Sequence, residues 1–313
     1  MMLFASVALA ALAVLLAWPV PLVVARASWP SRAPGTALVL WQAVALAGGL
    51  SMIGSLVTYG LIPFGSTIFE GLSQLVHYFF AGTLPPAANL AHIFALCLAV
   101  LLAGHLLLNL GLTLVRTERQ RSRHLSLINL LSAPMPDRPG TRVLDHPAPV
   151  AYCLPGMSRS VTVLSEGLVT LLDADQLQAV IAHERAHLRQ RHHLVLVAFK
   201  SWHTALPWFP IANRAETAVG LLVEMLADDQ ARRVVGDATL ATAIALVASE
   251  GADRPEGSTL EGLHAGDTAT GFASQRVKRL VDHQEPLSAA ARASVFAAAT
   301  LLLLAPTVLL VLI

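Results

Sequence analysis

Two cysteines, Cys97 and Cys153, are all that 313 residues contain, one inside an apolar run and the other inside a charged block. That scarcity excludes a disulfide framework and a cysteine-based zinc site, so any metal must be held by histidine and carboxylate. Charge is scarce as well. Only 13% of residues are charged against 55% apolar, with mean hydropathy +0.62, which excludes a wholly soluble globular protein. What charge there is sits in one place: all but Arg26 and Arg32 of the 21 Lys and Arg, and all but Glu70 of the 20 Asp and Glu, lie between Arg116 and Arg292. The net charge of +1 thus conceals a folded polar block set between apolar parts.

Four stretches, about 2–25, 37–63, 89–115 and 293–313, are apolar and reach the roughly 20 residues that a transmembrane helix needs. The first holds Pro19 and Pro21, a kink that a bundle tolerates. It lacks a basic leader, its first charge being Arg26 on the far side, which argues against a cleaved signal peptide. No Lys or Arg occurs from 33 to 115. Arg26 and Arg32 in the first connection, and "RTERQRSRH" from Arg116, therefore place that connection and the charged block in the cytoplasm; both termini and the loop 64–88 face outward. The expected architecture is a mainly α, multi-pass cell-membrane protein. Residues 1–115 carry three spans, 116–292 form a cytoplasmic α+β domain inserted between the third and fourth spans, and 293–313 form the fourth. The basic stretch at Arg116 reads as a topology anchor against lipid headgroups, not a nucleic-acid surface. Gly48, Gly49 and Gly54 permit close helix approach. "FEGLSQLVHYFF" fits a helix lying on the membrane, and its Glu70 and His77 receive no role.

Within the charged block, "SAPMPDRPG" reads as a linker, and "VAYCLPG" and "SVTVLSEGLVTLL" as short strands joined by a turn at Pro155-Gly156. A helix then starts at "DADQLQAVIAHERAHLRQ", with Asp173 as N-cap, Gln176 completing a capping box, and no Gly or Pro as far as Pro207. It places His183 and His187 at i and i+4, on one face and one turn apart, the spacing that lets two imidazoles reach one tetrahedral zinc. Glu184 hangs beside that position without having to ligate. There a general base takes a proton from a water whose acidity the metal has raised to a pKa of about 7. "RQRHH" reads as the solvated continuation, with His192 and His193 outside the ligand set.

A catalytic zinc needs a third protein ligand. "NRAETAVGLLVEMLADDQARRVV" is a second helical pattern, with Val219, Leu222 and Leu226 on its apolar stripe and Asp229 near Arg232 and Arg233 on a wet face. Glu224 is the candidate ligand and Glu216 the reserve. Asp228, one turn beyond Glu224, is placed to accept the free N–H of a ligating histidine and fix its tautomer, with a purely structural partner role as the alternative. Between the two helices, "LVLVAFKSWHTALPWFP" is too short to span; Trp202, Trp208 and Phe209 suit either the bilayer interface or a core.

"AVIAHERAH", "LPWFPIANRA" and, about forty residues after the first motif, "EMLADDQA" together resemble the BlaR/MecR family of membrane zinc metallopeptidases, and more distantly the HtpX/Ste24-type membrane peptidases. The resemblance implies a gluzincin-like, zincin-fold domain holding one Zn2+, with His183, His187 and Glu224 as ligands and Glu184 as base. "SQRVKRLVD" resembles a basic segment late in such domains, and it offers Arg276 as an oxyanion donor; positive charge before the last span explains it equally. His264, in "EGLHAGDTATG", is a second oxyanion candidate within a Gly-rich loop suited to gating. In the best-known members a β-lactam sensor follows the last span; this sequence ends at Ile313, so direct antibiotic sensing is not expected. The expected activity is hydrolysis of peptide bonds in a cytoplasmic protein, such as a winged-helix repressor, or in the chain itself. Membrane lipids are partners, direct nucleic-acid binding is not expected, and a homodimer is left open. Two other readings stand beside it: a signal transducer stabilised by non-catalytic zinc, and a general quality-control protease.

Overall fold

The computed structural model describes residues 1–135, 138–154, 161–207, 210–252, 266–282 and 285–312. The turn expected at Pro155-Gly156, the aromatic pair Trp208 and Phe209, and His264 fall outside them. Two compact units divide the chain. One comprises Met1–Thr113, Ala198–Val219 and Leu287–Ile313, and the other Leu114–Val197 and Gly220–Pro286.

The first unit is built from apolar helices: α1 (Met2–Ala17), α2 (Pro19–Arg26), α3 (Pro34–Leu61), α4 (Ile68–Ala81), the apolar part of α5 (Leu90–Leu131) and α12 (Ala289–Val311). Four segments, Met2–Arg26, Pro34–Leu61, Leu90–Leu131 and Ala289–Val311, are long and apolar enough to cross a membrane, which favours a membrane protein. The first breaks at Trp18, directly before Pro19. Helix α3 packs against α1 and α12. The crossing point is Gly54, where an added Cβ would lie 3.1 Å from Leu310 and 3.3 Å from Leu9, and Ser6 Oγ donates to the Ser55 carbonyl at 2.9 Å beside it. Helix α4 forms where a surface helix was expected, capped by Thr67, with Phe69, Phe79 and Phe80 exposed.

The second unit contains a four-stranded sheet and its covering helices. Strands β1 (Ser132–Pro134), β2 (Thr141–Leu144), β3 (Ala151–Leu154) and β4 (Val161–Ser165) lie in the order β1-β2-β4-β3, with only β2 and β4 parallel. Two expectations change here. The Pro-rich stretch is no simple linker, because its first residues pair as β1 with β2, and the Arg142 guanidinium fastens the pair by donating to Ser132 Oγ at 2.7 Å. "SVTVLSEGLVTLL" is a strand only as far as Ser165. That side chain accepts from Leu168 N and Val150 N and donates to the Ala148 carbonyl, ending the strand and capping α6 (Glu166–Leu171). Gly167 is required at this corner, since a Cβ would stand 2.0 Å from the Pro147 oxygen.

Leu164, Leu168, Leu172, Leu177 and Ile181 form the core that seats α6 and α7 (Ala174–Arg189) on β4. Each such buried side chain contributes about 1.5–3 kcal/mol. A second cluster joins α7 to the end of α9 (Pro210–Ala231), to α10 (Asp237–Ala252) and to α11 (Gly266–Val281) through Ala179, Ala231, Leu240, Ala241, Ile244 and Leu280. Ala179 of α7 and Ala231 of α9 both belong to this cluster, and side chains of the two helices lie within bonding distance of one another.

Candidate metal centre

Helix α7 starts where its sequence says it should. Asp173 Oδ1 accepts from Gln176 N at 2.8 Å and Gln176 Oε1 accepts from Asp173 N at 3.1 Å. Ten residues on, His183 is buried and His187 lies one turn further on the same face, their Nε2 atoms 3.1 Å apart. From α9, Glu224 Oε2 lies 3.3 Å from His183 Nε2 and Oε1 lies 3.5 Å from His187 Nε2. These three form the one such cluster of metal-binding side chains among the described residues. Tetrahedral zinc, with bonds near 2.0–2.1 Å, sets its ligand atoms about 3.3–3.4 Å apart. The two histidine nitrogens, and the Glu224 oxygen that faces each of them, lie near that value, so the donor set is of the kind, and near the spacing, that zinc takes.

Behind the cluster, Asp228 Oδ1 lies 2.9 Å from His183 Nδ1, and Asp228 is 1% exposed. The Arg276 guanidinium of α11 donates to both Asp228 oxygens, Nε to Oδ2 at 2.8 Å and Nη2 to Oδ1 at 2.7 Å, while Nη1 stands 3.0 Å from Glu224 Oε2. One turn along, Arg279 Nη2 donates to Asp229 Oδ1 at 2.7 Å and Nη1 to the Met225 carbonyl at 3.3 Å, so two arginines clamp α11 to α9. Neither sequence expectation for Arg276 describes this placement. Its side chain, 14% exposed, lies among the carboxylates of Asp228 and Glu224, and each of its three guanidinium nitrogens faces one of them.

The electrostatics follow from that packing. Burial and the Arg276 charge oppose a proton on His183, but hydrogen bonds to Asp228 and Glu224 outweigh them and push its pKa up to about 9. Burial takes His187 down to about 4, with Glu224 opposing too weakly to reverse it. Glu224 and Asp228 are held below the usual carboxylate range despite burial, by hydrogen bonds and charge from His183 and Arg276. Glu184 is partly exposed and follows His183 on α7; its charge contributes to the raised pKa of Arg276.

Of the sequence candidates, His183, His187, Glu224 and Asp228 come together, and Arg276 joins them. Glu216 does not: it sits 3.2 Å from His203 Nδ1 and is outside the cluster. The solvated reading of "RQRHH" holds for His193, which is exposed, and fails for His192, which is 2% exposed with its Nδ1 3.0 Å from His187 Nδ1. The reason is a break in the expected continuous helix. Helix α7 ends at Arg189, Arg191 takes φ 52°, and α8 (His192–Ala205) begins anew. Sequence offered no sign of it, because the left-handed residue is an arginine and not the customary Gly or Asn.

The family model described as Peptidase family M48 matches residues 115–248, less than half of the chain. That segment carries His183, His187, Glu224 and Asp228, and its likeness to family M48 supports a metallopeptidase. It does not single out the BlaR/MecR kind. No curated protein and no solved structure matches the chain.

Proposed function

We propose that this protein is a membrane-bound, zinc-dependent endopeptidase whose domain hydrolyses peptide bonds of a cytoplasmic protein. The observation that carries the reading is the facing of His183 Nε2, His187 Nε2 and a Glu224 carboxylate at zinc-ligand spacing, with Asp228 behind the first histidine. On this reading those three residues hold the ion. When bound, zinc supplies a Lewis acid that makes water ionisable near neutral pH and polarises the scissile carbonyl. Glu184 takes the proton of the attacking water and returns it to the departing amine nitrogen, as general base and then acid. Asp228 holds the His183 Nδ1–H, which leaves Nε2 as the nitrogen that takes the ion once its own proton has gone, and Arg276 keeps Asp228 and Glu224 ionised. The cytoplasmic placement rests on the basic residues beside the spans. The finer reading, inactivation of a winged-helix repressor, rests on the BlaR/MecR resemblance; breadth of substrates separates it from general quality control.

Purified Glu184→Gln should retain zinc and lose cleavage by a factor of at least about 10². His187→Ala should lose the metal itself. Undiminished cleavage by the Glu184→Gln protein sinks the assignment. Co-expression of wild type and Glu184→Gln with a candidate repressor, followed by a search for its fragments, reads the substrate.

A further inference from the structure

On an unbroken helix a residue five positions on lies about 140° around the axis. His192 would then point away from His187. The turn through Gln190 and Arg191 reverses this and lays the His192 ring against that of His187, centroids 4.9 Å apart and planes at 83°. Such a return has a conformational cost, since a non-glycine residue in the left-handed region is disfavoured by about 1 kcal/mol or more. It also buries a polar ring, which needs partners on both nitrogens. His192 has them: Nε2 lies 2.7 Å from Gln190 Oε1, and Nδ1 lies 3.0 Å from His187 Nδ1.

We propose that His192, set by Gln190, is a positioning residue that fixes the tautomer of the metal ligand His187; the inference rests on the zinc-peptidase reading above. A neutral imidazole carries one proton. With the Gln190 oxygen accepting the His192 Nε2–H, His192 Nδ1 is bare and accepts the His187 Nδ1–H. His187 Nε2 is then bare on the side facing Glu224 and His183. The opposite polarity, amide nitrogen toward His192, puts a proton on His187 Nε2, 3.1 Å from His183 Nε2 and in the place of the metal. One polarity alone serves a ligand. The partner is a neutral side chain, where the other ligating histidine has a carboxylate.

The test uses the full chain in detergent micelles, with zinc affinity read by competition with a chromophoric chelator. His192→Phe keeps the ring and removes the acceptor, and it should weaken zinc about 10–100-fold. His192→Asn sets an amide oxygen where Nδ1 stood and should restore affinity to within about threefold of wild type. Nitrogen NMR of histidine-labelled, metal-free protein should show His187 protonated on Nδ1 in wild type and His192→Asn, and a mixture of tautomers in His192→Phe. Should His192→Phe fail to fold, Gln190→Leu, at an exposed position, should give the same mixed tautomer. The inference is overturned if His192→Phe binds zinc as tightly as wild type, if His192→Asn loses as much as His192→Phe, or if Gln190→Leu leaves the His187 signal unchanged. A wild-type chain that takes up no zinc overturns the proposed function along with it.

Discussion

The two sides of the candidate metal centre hold their histidines by different means. Behind His183 lie a carboxylate and a guanidinium, Asp228 and Arg276, on two further helices. Behind His187 lie two neutral side chains, His192 and Gln190, from the turn that ends its own helix. Both arrangements turn an Nε2 toward Glu224, yet the histidines part company as acids, one pushed up to about 9 and the other down to about 4. The charged side ties three helices together and keeps its proton. The neutral side is local, adds no charge, and leaves its nitrogen free of protons over the whole physiological range. Identical residues one turn apart therefore need not be equivalent ligands.

The largest expected effect tests whether the charged side also carries the fold. Asp228→Ala leaves the Arg276 guanidinium, 14% exposed, facing only Glu224, and removing one partner of a buried ion pair costs about 3–5 kcal/mol. His192→Phe strands one neutral N–H, which costs about 1–3 kcal/mol. Unfolding of both variants in the same micelles should show Asp228→Ala clearly the less stable. Equal losses would erase the structural half of the comparison.

The next effect is in pH. His183 Nε2 binds a metal only after its proton leaves, so raising pH removes a competitor. With the His183 pKa near 9, zinc affinity should rise about tenfold per pH unit from neutrality and level off near pH 9. His187, down at about 4, should add no step in that window. Chelator competition at pH 6–10 reads the curve, and a plateau that begins near 6.5 would show that Asp228 and Glu224 do not retain the proton.

The same asymmetry decided what could be read from sequence. The charged side was legible: His183, Glu224 and Asp228 follow from helical period and the chemistry of zinc, and the capping box of Asp173 and Gln176 fixed where α7 starts. Arg276 was visible as a residue but not as a partner, because its meeting with Asp228 joins segments 48 residues apart with no local pattern between them. On the neutral side the helix period itself misled. It carries "RQRHH" outward, and only the φ of Arg191 turns His192 back. The sheet was half legible for a related reason: β1 and β2 are three and four residues long, too short for alternation to show, and Ser165 reads as a strand residue until its side chain is seen capping α6.

The smallest effect isolates the turn. Arg191 is exposed and left-handed, so its substitution changes backbone preference with little loss of contact. Arg191→Val, β-branched and poorly suited to positive φ, should cost about 1–2 kcal/mol and weaken zinc binding by displacing His192. Arg191→Gly accepts the turn and should hold zinc as wild type does, its gain in the folded state offset by about 0.5–1 kcal/mol from the freer unfolded chain. If the valine variant binds zinc undisturbed, His187 keeps its tautomer without the turn, and the neutral side of the centre is packing alone.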